Sequence, residues 1–206
     1  MTIAITGFTL TSKERLQAVS KNTTILMMNK VGAQAPGAAT KEHVHKFVFS
    51  STTAIYGEPE SIPITESCPA RPISPYGQTK LDVERLLEQA NAQHGLGFAA
   101  LRYFNAAGAD PAGDIGEDHE PETHLIPIVL QVALGQRAEI SVFGDDYATP
   151  DGTCVRDYVH VLDLADAHLR ALDRIQDRQS IQVNLGSGTG HSVMEIIEAA
   201  RAVTGQ

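Results

Sequence analysis

Short apolar runs alternate with helical stretches along most of this chain, and that alternation leaves few folds open to it. Phe47-Val-Phe49, Phe98 to Phe104 and Ile181 to Leu185 are runs of strand length, as expected of strands buried on both faces of a parallel sheet. Ser74-Pro75 reads as a helix start, with Ser at the N-cap and Pro at the first helical position. That helix runs to about Ala92, with mixed faces at Leu81, Glu84, Leu87 and Glu88, and Gly95-Leu-Gly97 stops it. Leu125 to Ala133 reads as a helix despite Pro127, and Asp163 to Arg174 as one with Leu164, Ala167, Leu169 and Leu172 inward. Glu139 to Phe143 reads as a strand, Tyr158 to Val161 as extended, and a last helix begins at Val193. Ser50 to Pro75 and Asn105 to Thr123 are rich in small, polar, Gly and Pro residues and read as loops. The expected class is α/β with a mostly parallel sheet.

Charge narrows the function classes. Against 16 basic residues stand 25 acidic ones, for a net −9, which argues against a nucleic-acid binder. A phosphorylated small molecule remains compatible, because a few placed Arg side chains can bind phosphate on an acidic protein. Cys68 and Cys154 belong to no C-x-x-C pair, so two free thiols in a cytoplasmic protein are expected. No apolar run approaches the ~20 residues of a membrane span.

Tyr76 and Lys80 stand four apart at a helix start, so their side chains share a face. A free phenol has a pKa of about 10 and is a poor base at neutral pH. Lowering it to about 7 takes roughly 4 kcal/mol of preferential phenolate stabilisation. One cation at ~4 Å supplies about that at an effective dielectric near 20. Alone, Tyr-x-x-x-Lys is a weak signal. Here an apolar strand leads into Ser50-Ser51-Thr52, whose hydroxyls can polarise a substrate oxygen, and Tyr56-Gly57 follows before the helix opens.

Six stretches then carry a resemblance: Phe-Ser-Ser-Thr-Thr-Ala-Ile-Tyr-Gly (49–57), Ser-Pro-Tyr-Gly-Gln-Thr-Lys (74–80), Leu-Arg-Tyr-Phe-Asn-Ala-Ala-Gly-Ala (101–109), Gly-Glu-Asp (116–118), His-Leu-Ile-Pro (124–127) and Gly-Thr-Cys-Val-Arg-Asp-Tyr (152–158). In this order they resemble the extended short-chain dehydrogenase/reductase family and, within it, the UDP-glucose 4-epimerases. Dehydratases of the superfamily place Asp-Glu after the loop Ser/Thr, where this chain has Thr53-Ala54.

The resemblance implies NAD-dependent interconversion of UDP-glucose and UDP-galactose through a 4-keto sugar. By it, Thr52 binds the sugar 4-hydroxyl, Tyr76 is the base, and Lys80 holds the nicotinamide ribose and acidifies the phenol. Phe104 is a nicotinamide contact and Asn105 a diphosphate contact. His124 and Leu125 lie beside the diphosphate and uridine, a strand through Ser141, Val142 and Phe143 lines the uracil, and Arg156 clamps the diphosphate. A homodimer is the family's habit. An epimerase of another UDP-sugar, or an inactive UDP-sugar-binding module without NAD, are the rival readings.

The resemblance covers about Lys46 to Gln206 and implies a Rossmann-like doubly wound sheet, incomplete here, with part of a smaller substrate-binding domain. Residues 1–45 are a divergent segment where the Gly-rich NAD turn is expected, since Phe8-Thr-Leu-Thr11 follows Ile5-Thr-Gly7. Residues 46–115 form the second half of the Rossmann-like domain, and 116–206 the substrate-binding region interleaved with returning strands. Truncation at both ends is therefore expected. Gly186-Ser-Gly-Thr-Gly190 reads as a turn into a helix capped by Ser192 and Glu195, not as a dinucleotide fingerprint. The eight histidines, His43 and His45 among them, suggest no metal set, and none is expected.

Overall fold

A computed structural model of the chain describes residues 3–4, 25–26, 45–113 and 116–206. Two short strands, β1 (Ile3–Ala4) and β2 (Ile25–Leu26), pair in parallel. The rest of the N-terminal segment, including the expected site of a Gly-rich turn, lies outside the described residues.

The chain divides into two compact units, residues 1–104 with 161–185, and residues 105–160 with 186–206. In the first, β3 (Lys46–Thr52), β4 (Gly97–Tyr103) and β7 (Ser180–Leu185) form a parallel sheet in the order β3-β4-β7. Helix α1 (Pro75–His94) covers one face and α3 (Val161–Arg174) the other. Strand alternation assigns the faces. Phe47, Phe49, Phe98 and Ala100 pack on Val83, Leu87 and Ala90 of α1. Val48, Ala99 and Leu101 pack on Ala171, Leu172 and Ile175. Helices on both sides of a parallel sheet make the unit doubly wound, and burial on both faces explains the apolar runs of β3 and β4.

Helix α1 starts where the sequence places it. Ser74 accepts from the Gly77 amide, Pro75 sits in the first turn, and Gly95 ends the helix in the left-handed region. Two expectations for this unit are corrected. The stretch from Ser50 is not loop throughout: β3 continues to Thr52, and Thr53–Tyr56 form a 3-10 turn. Helix α3 turns His168 inward and leaves Leu169 47% exposed, because the inward stripe runs through Leu164, His168, Ala171 and Leu172.

In the second unit, β5 (Asn105–Ala107) pairs in parallel with β6 (Val155–His160), which pairs antiparallel with β8 (Gly190–Ser192). Residues 105–107 are thus a strand where a loop is expected. Helix α2 spans Leu125–Ala133 as expected, and α4 (Val193–Thr204) begins with the Ser192/Glu195 capping box. The turn before it is held by the Asp157 carboxylate, which accepts from the Ser187 and Gly188 amides.

The strand expected over 139–143 is absent. These residues have no ladder partner, and Phe143 is 88% exposed. Ile, Val and Phe favour strands only where a pleated, half-buried surface receives them.

Candidate active site

At the carboxyl end of β3, Thr52 caps the 3-10 turn by accepting from the Ala54 amide. The start of α1 lies against that turn. A Cβ on Gly77 would fall 2.5 Å from the Ala54 carbonyl oxygen, so glycine is required for the approach that brings Tyr76 to Thr52. Gly57, at φ 67, lets the chain leave the turn past the Arg71 carbonyl.

Tyr76 is 55% exposed, and its phenol lies beside Thr52. Lys80, one turn along, is 5% exposed; its Nζ donates to the Ser50 carbonyl at 2.9 Å. The same ammonium lies 5.0 Å from the Phe49 ring centroid and 5.6 Å from that of Tyr76. Hydroxyl, phenol and ammonium are therefore gathered at one strand end.

Their protonation follows from these surroundings. Burial raises the Tyr76 pKa above the ordinary tyrosine value, and the Thr52 hydrogen bond offsets part of that. Burial lowers the Lys80 pKa. The expectation is that Lys80, helped by a positively charged nicotinamide, acidifies the phenol; in the chain without that cofactor, burial raises its pKa. A further positive charge against the ring is what would bring the phenol down.

Two buried networks hold the strand ends, and sequence reasoning did not find them. On the α1 side, the Ser51 hydroxyl donates to Glu84. Arg102, paired across the sheet with Ser51, donates to Glu84 through Nη2 at 2.6 Å and Nε at 3.1 Å. Its Nη1 donates to the Tyr56 hydroxyl at 2.9 Å, which donates to Asn184 Oδ1 at 2.8 Å. One chain of bonds thus ties α1, β3, β4, the 3-10 turn and β7 together. A charged residue in the otherwise apolar strand 97–103 is the sequence signal that pointed to it.

On the α3 side, His168 Nδ1 faces the Leu164 carbonyl at 2.7 Å, which can only accept. The proton is therefore on Nδ1, and Nε2 accepts from the Ser50 hydroxyl at 2.9 Å. Tyr103 lies beside Ser50, its ring centroid 6.3 Å from that of His168. Burial holds the His168 pKa below the ordinary value, so the ring is neutral. Ser50 thus carries His168 on its side chain and Lys80 on its backbone.

The other expected residues stand as follows. Phe104 ends the first unit, its amide donating to the Leu185 carbonyl at 3.3 Å. In the second unit, Asn105 donates from its side chain to the Asp157 carbonyl at 2.9 Å. His124 is the N-cap of α2 without a side-chain cap bond, and Leu125 opens that helix. Ser141, Val142 and Phe143 are exposed and irregular. Arg156 is exposed on β6, its Nη1 donating to the Val155 carbonyl.

The α1 side chains at the carboxyl end of β3 fit the nicotinamide ribose end of NAD. They offer a buried ammonium and a phenol with its ring half open. Residues that would meet the adenosine end fall outside the described residues. The two thiols are free. Among the described residues, no helix is long and apolar enough to cross a membrane.

Comparison with known proteins fits this geometry. The chain is 57% identical over 179 residues to UDP-glucose 4-epimerase of Halalkalibacterium halodurans, covering 86% of this chain and 54% of that protein. It is 60% identical over 164 residues to UDP-glucose 4-epimerase of Streptococcus mutans, covering 79% and 49%. A crystal structure of UDP-glucose 4-epimerase from Bifidobacterium longum in complex with NAD+ and UDP superposes with a TM-score of 0.79 at 36% identity, over 94% of this chain and 64% of that one. The chain spans about half the length of the curated relatives it matches. Residues 12–186 match the family described as NAD dependent epimerase/dehydratase, and the chain belongs to that family.

Proposed function

We propose that this chain performs the proton chemistry of UDP-glucose/UDP-galactose 4-epimerisation, with Tyr76 as the acid–base group. The observation that carries the reading is the Tyr76 phenol beside Thr52, with the Lys80 ammonium 5.6 Å from its ring centroid. Thr52 and Tyr76 together offer two hydroxyls to one sugar oxygen. As phenolate, Tyr76 takes the proton from the C4 hydroxyl, while Thr52 holds that oxygen in place. The same phenol returns a proton to O4 after the 4-keto sugar has turned its other face. NAD, when bound, supplies a reversible hydride acceptor for C4. Lys80 binds the nicotinamide ribose and favours the phenolate.

In the same reading, Asn105, His124, Leu125 and Arg156 bind the diphosphate and uridine, with Ser141, Val142 and Phe143 along the uracil. Arg156 suits the role because its guanidinium is permanently charged and forked. Cytoplasmic location, a place in galactose metabolism and a homodimeric state belong to this proposal; the two free thiols support the first.

The test is conversion of UDP-galactose to UDP-glucose by the full chain supplied with NAD. Conversion that Tyr76→Phe abolishes, while UDP binding persists, supports the reading. Binding of UDP-galactose without conversion in the presence of NAD overturns it in favour of a binding module.

A further inference from the structure

The segment before α2 gathers four metal-ligating side chains that the chemistry above does not need as a set. Glu117, His119, Glu122 and His124 each bring one donor atom within 4.8 Å of the others. The histidines of the sequence lead to no expected metal set; a bend at Glu120-Pro121 brings these four side chains together.

The distances have the scale of a coordination polyhedron. Glu117 Oε1 lies 3.1 Å from Nδ1 of His119 and 3.1 Å from Nδ1 of His124. Glu122 Oε2 lies 4.0 Å from His119 Nδ1. A tetrahedral zinc ion with ligands at 2.0–2.1 Å sets its donor atoms about 3.4 Å apart. The two imidazoles are tilted by 60° with centroids 4.9 Å apart, so they are not stacked face to face.

One ligand is fixed in advance. The Glu122 side chain is 6% exposed, and its Oε1 accepts from the Thr123 and His124 amides, each at 2.7 Å. That leaves Oε2 toward His119, an outer-shell arrangement of the kind that orients a ligating carboxylate. The only ion-pair partners of Glu117 and Glu122 among the described residues are these two histidines, which carry no charge when neutral. Two carboxylates this close repel unless a cation joins them.

We propose that Glu117, His119, Glu122 and His124 bind one divalent transition-metal ion of the zinc class. Mixed imidazole and carboxylate donors suit zinc better than calcium or magnesium, which take oxygen.

The experiment is titration of the chelator-stripped full chain with Zn2+ alone, by calorimetry in two buffers of different ionisation enthalpy. Saturable binding of one ion, weakened roughly 100-fold or more in His119→Ala and in Glu117→Gln, is expected, since even outer-shell changes cost about 10–100-fold. X-ray absorption on the zinc-loaded chain should show nitrogen and oxygen ligands only. Absence of saturable binding, affinity unchanged in both variants, or sulfur ligands from Cys68 or Cys154 would overturn the proposal. No nucleotide or sugar enters the measurement, so its outcome is independent of the epimerase reading.

Discussion

The two units hold their candidate site residues, and the groups around them, in different ways. In the first, Glu84 (1% exposed), Arg102 (7%), His168, Ser50, Ser51, Thr52 and Lys80 are all buried between sheet and helices. In the second, Asn105, His124, Ser141, Phe143 and Arg156 stand on strand edges, a helix start and an irregular stretch, most of them exposed. Groups that move protons need a fixed position, and groups that grip a long ligand need access. The first unit therefore depends on its buried networks, whereas the second tolerates change.

The largest expected effect is on chemistry. Tyr76→Phe should lower turnover of UDP-galactose by roughly 10²–10⁴-fold, the range for a lost general acid–base group, with little change in the unfolding curve because the side chain is half exposed. A variant that unfolds instead would place Tyr76 among the structural residues.

Next comes the buried pair. Arg102→Met leaves Glu84 buried without its partner and should cost about 3–5 kcal/mol in urea unfolding. Arg102→Met combined with Glu84→Gln should recover part of it. A loss under about 1 kcal/mol would show the network to be solvated.

His168 makes the first unit sensitive to pH. Its pKa is depressed in the folded chain, so below the ordinary histidine value the unfolded chain binds the extra proton. Its contribution is full above that value and is lost as pH falls through it toward the folded pKa. His168→Gln should flatten stability measured between about pH 5 and pH 7. An unchanged slope would contradict the assigned neutral ring.

The smallest effects belong to the second unit. Ser192→Ala removes the α4 cap and should cost about 1 kcal/mol, and Phe143→Ser should change stability by no more than about 0.5 kcal/mol. A large loss at Phe143 would mean that the irregular stretch is packed after all.

The parts legible in the sequence were those fixed by local chemistry. Ser74-Pro75 and Gly95 delimit α1 by capping, and Ser192 with Glu195 starts α4, because a few neighbouring residues decide each boundary. The Tyr76/Lys80 pairing was legible for the same reason. What the sequence hid depends on distant partners. Whether 139–143 forms a strand is decided by an available edge, and the inward turn of His168 by Ser50, 118 residues away. The burial that raises the Tyr76 pKa in the chain without its cofactor is likewise invisible in spacing.

The most direct measurement is the titration of the Tyr76 phenol itself, by NMR of tyrosine labelled at the ring carbon bearing oxygen, with Tyr76→Phe to assign the signal. In the chain alone the phenol should titrate above the ordinary tyrosine value, higher still in Thr52→Val, and fall when NAD is added. A phenol that titrates at the ordinary value and ignores both the loss of the Thr52 hydroxyl and the addition of NAD would contradict the account.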